Sequence, residues 1–118
     1  MSRRTVRLPG DARAAAAARR AIEPAVKALP EQRRADVRLL ATELVANAVR
    51  HGSPPISLTV EVARSHLRVE VADSGGGRPQ RRPDPGADGG WGLLLVEAAS
   101  DRWGVADGST SVWFEIDR

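Results

Sequence analysis

The chain contains no cysteine, which excludes a disulfide framework and any thiolate metal site. Aromatic residues make up only 3% of it, so a hydrophobic core has to be assembled from Val, Leu, Ile and Ala. Long hydrophobic runs are missing too. The longest, Ala14 to Ala18 and Leu93 to Val96, fall far short of the ~20 apolar residues that span a bilayer. Ser2-Arg3-Arg4 leads into a strand-like segment rather than an apolar one, so no secretory leader is expected and a cytoplasmic location is the default. Histidine is scarce, and the isolated His51 and His66 make no metal site. Lysine is nearly absent, Lys27 being the only one, so the net charge of +3 is carried by arginine. The isoelectric point of 10.8 reflects the very high guanidinium pKa. A charge of +3 is well short of the concentrated patch that nucleic-acid binding needs, and no recognition-helix motif stands out. The arginines read as a solvated basic surface.

What is present fits one domain over residues 1–118, 42% apolar and long enough for one ordinary core. Thr5-Val-Arg-Leu8 alternates like a short strand. Asp11 is placed to cap a helix over Ala12 to Leu29, with Pro24 marking a kink or break. A second, longer helix runs from Leu29-Pro30 to His51-Gly52, where Gly52 supplies the stop. Its residues Val37, Leu40, Leu44, Val45 and Ala48 form one stripe, and Glu43, Asn47 and Arg50 cluster at the edge of it. Ile56 to Val62 alternates cleanly, and so do Leu67, Val69 and Val71, which predicts an antiparallel hairpin with one buried face. Residues 78–91 are rich in Pro, Gly and charge and lack periodicity, as in a lid or binding loop. A helix over Leu93 to about Ser100, a strand at Trp103-Gly-Val105, a turn at Asp107-Gly108 and a strand over Thr110 to Asp117 complete the chain.

Four features carry chemistry. Glu43 and Asn47 are i and i+4 on a helix, hence neighbours: a carboxylate that can accept a proton, and a carboxamide oxygen suited to Mg²⁺. Asp73 ends a strand, where it can accept a hydrogen bond from an exocyclic amino group such as that of adenine. Gly75 and Gly77 beside it allow close approach to a flat ring. Gly90-Trp91-Gly92-Leu93 opens a helix whose free N–H groups can hold phosphate.

In this order the four features resemble the GHKL (histidine-kinase-like) ATPase superfamily. Glu43-x-x-x-Asn47 is similar to its N box, Asp73-x-Gly75-x-Gly77 to its first glycine box, and Gly90-x-Gly92-Leu93 to its second. The extension Asn47-Ala-Val-Arg-His51-Gly52 resembles the small bacterial anti-sigma-factor serine/threonine kinases, and the resemblance covers nearly the whole chain. It implies the α/β fold of that superfamily, an α+β two-layer sandwich with helices on one face of a mixed, mostly antiparallel sheet. It implies ATP and Mg²⁺ as cofactors, with Asn47 on the metal and Glu43 as the catalytic base. Asp73, Gly75 and Gly77 would form the adenine pocket, and Gly90, Gly92 and Leu93 would meet the phosphates. It further implies a sigma factor and an antagonist protein as partners, the antagonist phosphorylated on Ser or Thr, and a possible homodimer. The lid between Gly77 and Gly90 departs from the pattern. It has neither Thr nor Lys and offers Arg78, Arg81 and Arg82, next to a bulky Trp91. That departure keeps open the alternative of a regulatory module that sequesters its partner and binds nucleotide weakly or not at all.

Overall fold

The computed structural model describes residues 1–75, 91–106 and 111–118, with the backbone alone for 91–94. Gly77, Gly90, the lid arginines and the Asp107-Gly108 turn lie outside the described residues, as do the side chains of Trp91 and Leu93. The elements are β1 (Ser2–Leu8), α1 (Ala14–Val26), α2 (Glu31–His51), β2 (Ile56–Val62), β3 (His66–Ala72), α3 (Trp91–Ala99), β4 (Arg102–Val105) and β5 (Val112–Asp117).

The five strands form one sheet in the order β1-β2-β3-β5-β4. Every pairing among them is antiparallel, so the antiparallel part of the expectation accounts for the whole described sheet. The predicted hairpin is β2–β3, with Val60 opposite Val69 and Leu58 opposite Val71. Alternation sends Ile56, Leu58 and Val60 of β2, Leu67, Val69 and Val71 of β3, and Val112, Phe114 and Ile116 of β5 to one face, where all nine are buried. The helices cover that face. Ala14, Ala18, Ala21, Ile22 and Val26 of α1 and Val37, Leu40, Ala41, Leu44 and Val45 of α2 join the same core, as does Val96 of α3. Phe114, the single phenylalanine, is fully buried in it. The small α1 residues let that helix lie close to the sheet, which is how a core with so few aromatics is filled.

Charged side chains tie the helices to one another. Arg38 of α2 donates twice to Glu23 of α1, at 3.2 and 2.6 Å, and Arg34 donates to the carbonyls of Leu29 and Lys27 just past the end of α1. Arg33 reaches the other neighbour, the Ala99 carbonyl at 3.4 Å and Asp101 at 3.2 Å, at the end of α3. Local details differ from expectation in two places. Pro24 sits within the last turn of α1 and does not break it; the helix ends two residues later, followed by 3₁₀-like bonds from Ala28 and Leu29. Asp11 accepts the Arg13 N–H at 2.9 Å and pairs with its guanidinium, closing the turn before the helix rather than its first turn; that pairing holds its carboxyl down at about 2.

The opposite face of the sheet, uncovered by the described helices, carries an ion network. Arg102 bridges Glu115 and Asp117, Arg68 bridges Glu70 and Glu115, and Arg68 also stacks over Trp113, 4.4 Å from the ring centre. Burial pushes the Glu115 carboxyl up. The Arg102 hydrogen bond and the nearby His66, Arg102 and Arg68 charges outweigh it and leave Glu115 below its ordinary 4.5. Hydrogen bonds from arginine likewise hold Asp117, through Arg102, and Glu23, through Arg38, below their ordinary values. A carboxyl whose folded pKa lies below its unfolded one stabilises the fold above the unfolded pKa, and that contribution disappears as pH falls through the folded value. Urea midpoints should therefore decline on acidification from about pH 5 to about pH 3, and the decline should be shallower in Glu115→Gln. Parallel curves for the two proteins would show that Glu115 does not contribute.

Candidate functional site

Helix α2 is the element on which the site is built. Its buried stripe faces the sheet, and the arginine contacts identify its two flanks: Arg34 and Arg38 towards α1, Arg33 towards α3. At ~100° per residue, Arg38 lies ~140° around the helix from Arg33 in one sense, while Asn47 lies ~40° and Glu43 ~80° around it in the other. Glu43 and Asn47 thus point away from α1, on the side where α3 packs along α2. Both are half-buried, as their position at the edge of the stripe requires, whereas Arg50 and His51 one turn further on are exposed. The two basic residues in the last turn complement the negative end of the helix dipole.

The C-terminal end of α2 meets the C-terminal end of β3. The Gly52 N–H closes the helix on the Ala48 carbonyl at 2.9 Å, and the chain turns through Ser53 and Pro54. Directly after β3, the Ser74 N–H donates to the Ser53 carbonyl at 2.9 Å. The Ser74 hydroxyl lies 3.1 Å from the same oxygen and 2.5 Å from the Pro54 carbonyl. Ser74 therefore fastens the two loops together. Between them sits Asp73, whose Oδ1 accepts the Gly75 N–H at 2.6 Å and a longer bond from the Ser53 N–H at 3.4 Å.

Two glycines make room for this carboxylate. A Cβ on Gly75 would lie 2.8 Å from Asp73 Oδ1. A Cβ on Gly52 would lie 2.5 Å from Asp73 Cγ and 2.7 Å from the Ala48 carbonyl oxygen. Gly52 is read from sequence as a helix stop, and its position is right, but the reason differs. Its backbone is extended, at φ −97° and ψ −166°, not left-handed. Glycine is required there because Asp73 occupies the space a side chain would need.

Of the predicted site residues, Glu43 and Asn47 share a flank of one helix, and Asp73 and Gly75 lie against the C-terminal loop of that helix. Gly92 and Leu93 lie in the first turn of α3, which begins at Trp91, slightly earlier than expected. Sequence reasoning passes over Ser53 and Ser74. The available signal was Ser74 itself, a hydroxyl between the carboxylate and the glycine of Asp73-x-Gly75, in a position to bond back to a neighbouring turn. Among the described residues there is no cluster of three or more His, Cys, Asp or Glu side chains arranged to hold a metal ion. A cation in this site would take few protein oxygens and fill its shell with phosphate and water, which is the habit of Mg²⁺ rather than Zn²⁺ or Ca²⁺. The carboxamide of Asn47 fits that donor set.

Comparison with known proteins gives the same outline. The sequence model of the family described as "Histidine kinase-like ATPase domain" matches residues 8–116. No curated protein matches the chain. The crystal structure of the RsbU and RsbW domains of Rv1364c from Mycobacterium tuberculosis is similar in fold, with a TM-score of 0.69 at 21% identity; the match covers 100% of this chain and 32% of that one. No helix among the described residues is long and apolar enough to cross a membrane.

The crowding at Gly52 has a measurable sign. By helix propensity alone, alanine at a helix end should be neutral or stabilising. Gly52→Ala is expected instead to lower unfolding stability by about 1–3 kcal/mol, because the carboxylate or the helix end must move. Urea denaturation measures this, and a variant as stable as the parent would show that Asp73 does not fill that space.

Proposed function

The chain belongs to the histidine kinase-like ATPase family, and from that premise we propose that it is an anti-sigma-type regulator that binds Mg·ATP and phosphorylates a partner protein on Ser or Thr. The observation that carries this reading is the Asp73 carboxylate, fixed between Gly52 and Gly75 at the end of the helix that presents Glu43 and Asn47. An acceptor held in one place by backbone N–H groups is suited to reading the amino group of adenine. Its neighbours on α2 then lie on the path towards the phosphates. The fold similarity to a chain carrying an RsbW domain supports the anti-sigma assignment, as does the Asn47-Ala-Val-Arg-His51-Gly52 segment.

In the proposed mechanism Asp73 accepts a hydrogen bond from the adenine amino group, and Gly75 with Gly77 gives the ring room. Asn47 would hold Mg²⁺, which supplies charge neutralisation at the phosphates. The backbone at Gly92 and Leu93, in the first turn of α3, would donate N–H groups to phosphate oxygens, and so would that of Gly90. Glu43 takes the proton from the Ser or Thr hydroxyl as that oxygen attacks the γ-phosphorus. The new O–P bond forms, the bond to the β-γ bridging oxygen breaks, and ADP departs with that electron pair. Positioning and charge neutralisation supply most of the rate enhancement in such transfers, with the proton acceptor contributing a further factor. A sigma factor held by the same chain and an antagonist serving as phosphoryl acceptor are the partners this reading assigns, with a homodimer as the assembly. It requires neither nucleic acid nor membrane.

Two substitutions separate these roles. Asn47→Ala should weaken Mg·ATP binding about tenfold while changing ATP binding in EDTA by less than about threefold, the loss expected for one contact to a charged group. Calorimetry with and without Mg²⁺ checks this, and equal losses would contradict a metal role. Glu43→Gln should lower phosphoryl transfer to the antagonist by about 10² or more at nearly unchanged Mg·ATP affinity. Labelled ATP incubated with candidate antagonists gives the rate. A folded parent protein that binds no nucleotide would overturn the proposal, and one that binds it but transfers to no partner would favour sequestration alone.

A further inference from the structure

We propose that the free edge of β1 is a docking site for an acidic, extended segment of a partner protein, which joins the sheet as a further strand. Among the described residues β1 is the terminal strand of the sheet, paired on one side only. Its seven residues pair one-to-one with β2, from Ser2 opposite Val62 to Leu8 opposite Ile56, so the strand has no bulge, and no proline interrupts it. Shortness, bulges and prolines are the usual devices that keep an edge from pairing with another chain. β1 has none of them. It has arginines instead.

Arg3, Arg4 and Arg7 are all exposed, and none makes an ion pair with a described residue. Arg3 lies directly opposite Glu61 in the β1–β2 register without forming an ion pair with it. The other edge of the sheet is built differently. β4 has four residues, and its Arg102 is held by both Glu115 and Asp117. One edge is thus short, with its arginine held by two carboxylates, and the other is long and regular, with three exposed arginines that form no ion pair with a described residue, although Arg3 shares a pocket with Glu61 and Glu70.

Those charges decide the occupant. A second copy of β1 would set arginine against arginine, and like charges on adjacent strands are destabilising. A strand with Glu or Asp on alternate positions would meet Arg3 and Arg7 on the uncovered face, with Arg4 available on the other, while its backbone satisfies the open edge. The arginines then serve twice, disfavouring pairing of β1 with a second β1 and selecting an acidic partner. This inference does not rest on the catalytic reading, since β1 lies two strands away from Asp73 in the sheet.

The test uses the full chain and four blocked eight-residue peptides. One alternates Glu with Val and Thr, one replaces Glu by Lys, and two keep Glu but carry N-methyl groups on one or the other set of alternate residues. Amide NMR shifts should map binding of the acidic peptide to residues 2–8, with affinity falling about fivefold or more between 50 and 300 mM NaCl. The lysine peptide should not bind, and one of the two N-methylated sets should lose binding. The combined Arg3→Gln, Arg4→Gln and Arg7→Gln variant should lose about tenfold or more in affinity. The combined Arg19→Gln and Arg20→Gln variant, which removes exposed charge from α1, should keep it. Amide spectra outside β1 confirm that each variant is folded. The proposal is overturned if the acidic peptide does not bind, if its shifts map elsewhere, if both N-methylated sets bind as well as the parent, or if residues 2–8 mediate self-association that the peptide cannot displace.

Discussion

The placement of one carboxylate governs the site. Asp73 lies where the C-terminal loop of α2 crosses the end of β3, and its position is over-determined. The Gly75 and Ser53 N–H groups bind it, Ser74 ties together the loops on either side, and Gly52 and Gly75 leave the space it needs. Were either glycine to carry a side chain, the carboxylate or the helix end would have to shift. The relation between Asp73 and the α2 residues Glu43 and Asn47 would shift with it. A rigid acceptor of this kind is how a site gains selectivity from a single hydrogen bond, because a ligand lacking the matching donor leaves a desolvated carboxylate oxygen unsatisfied.

The rest of the fold serves to hold that crossing in register. α2 is clamped to α1 through Arg38 and Arg34 and to the end of α3 through Arg33, while its apolar stripe is buried on β3 and β5. The core achieves this with one phenylalanine, because the alternating Val, Leu and Ile of the strands meet the small residues of α1 at close range. The two faces of the sheet then have separate duties. One anchors α2, and the other carries a network of arginine, carboxylate and Trp113 that links β3, β4 and β5. The long β1 edge remains as the part of the sheet not consumed by either duty.

Much of this was legible in the residues. Period-two alternation in 56–62 and 67–71 predicted the hairpin and its buried face, and period-3.6 spacing in α2 placed Glu43 and Asn47 at the edge of the core. Those patterns are legible because burial enforces them locally. What was not legible depends on contacts between residues distant in the chain. Gly52 carries a generic stop signal, and only the folded chain reveals that Asp73, twenty-one positions on, is the reason for it. Ser74 reads as filler between an aspartate and a glycine until Ser53 and Pro54 are brought beside it. Likewise, Pro24 predicts a break by its missing N–H, and only the fold shows that α1 runs through it as far as Val26.

The most direct measurement of the central claim is a calorimetric comparison of ATP with inosine triphosphate, which replaces the adenine amino group by a carbonyl and leaves the phosphates unchanged. If Asp73 reads the amino donor, ATP binds about 10- to 100-fold more tightly, the range expected for a hydrogen bond to a charged group. Equal affinities for the two nucleotides would contradict the claim.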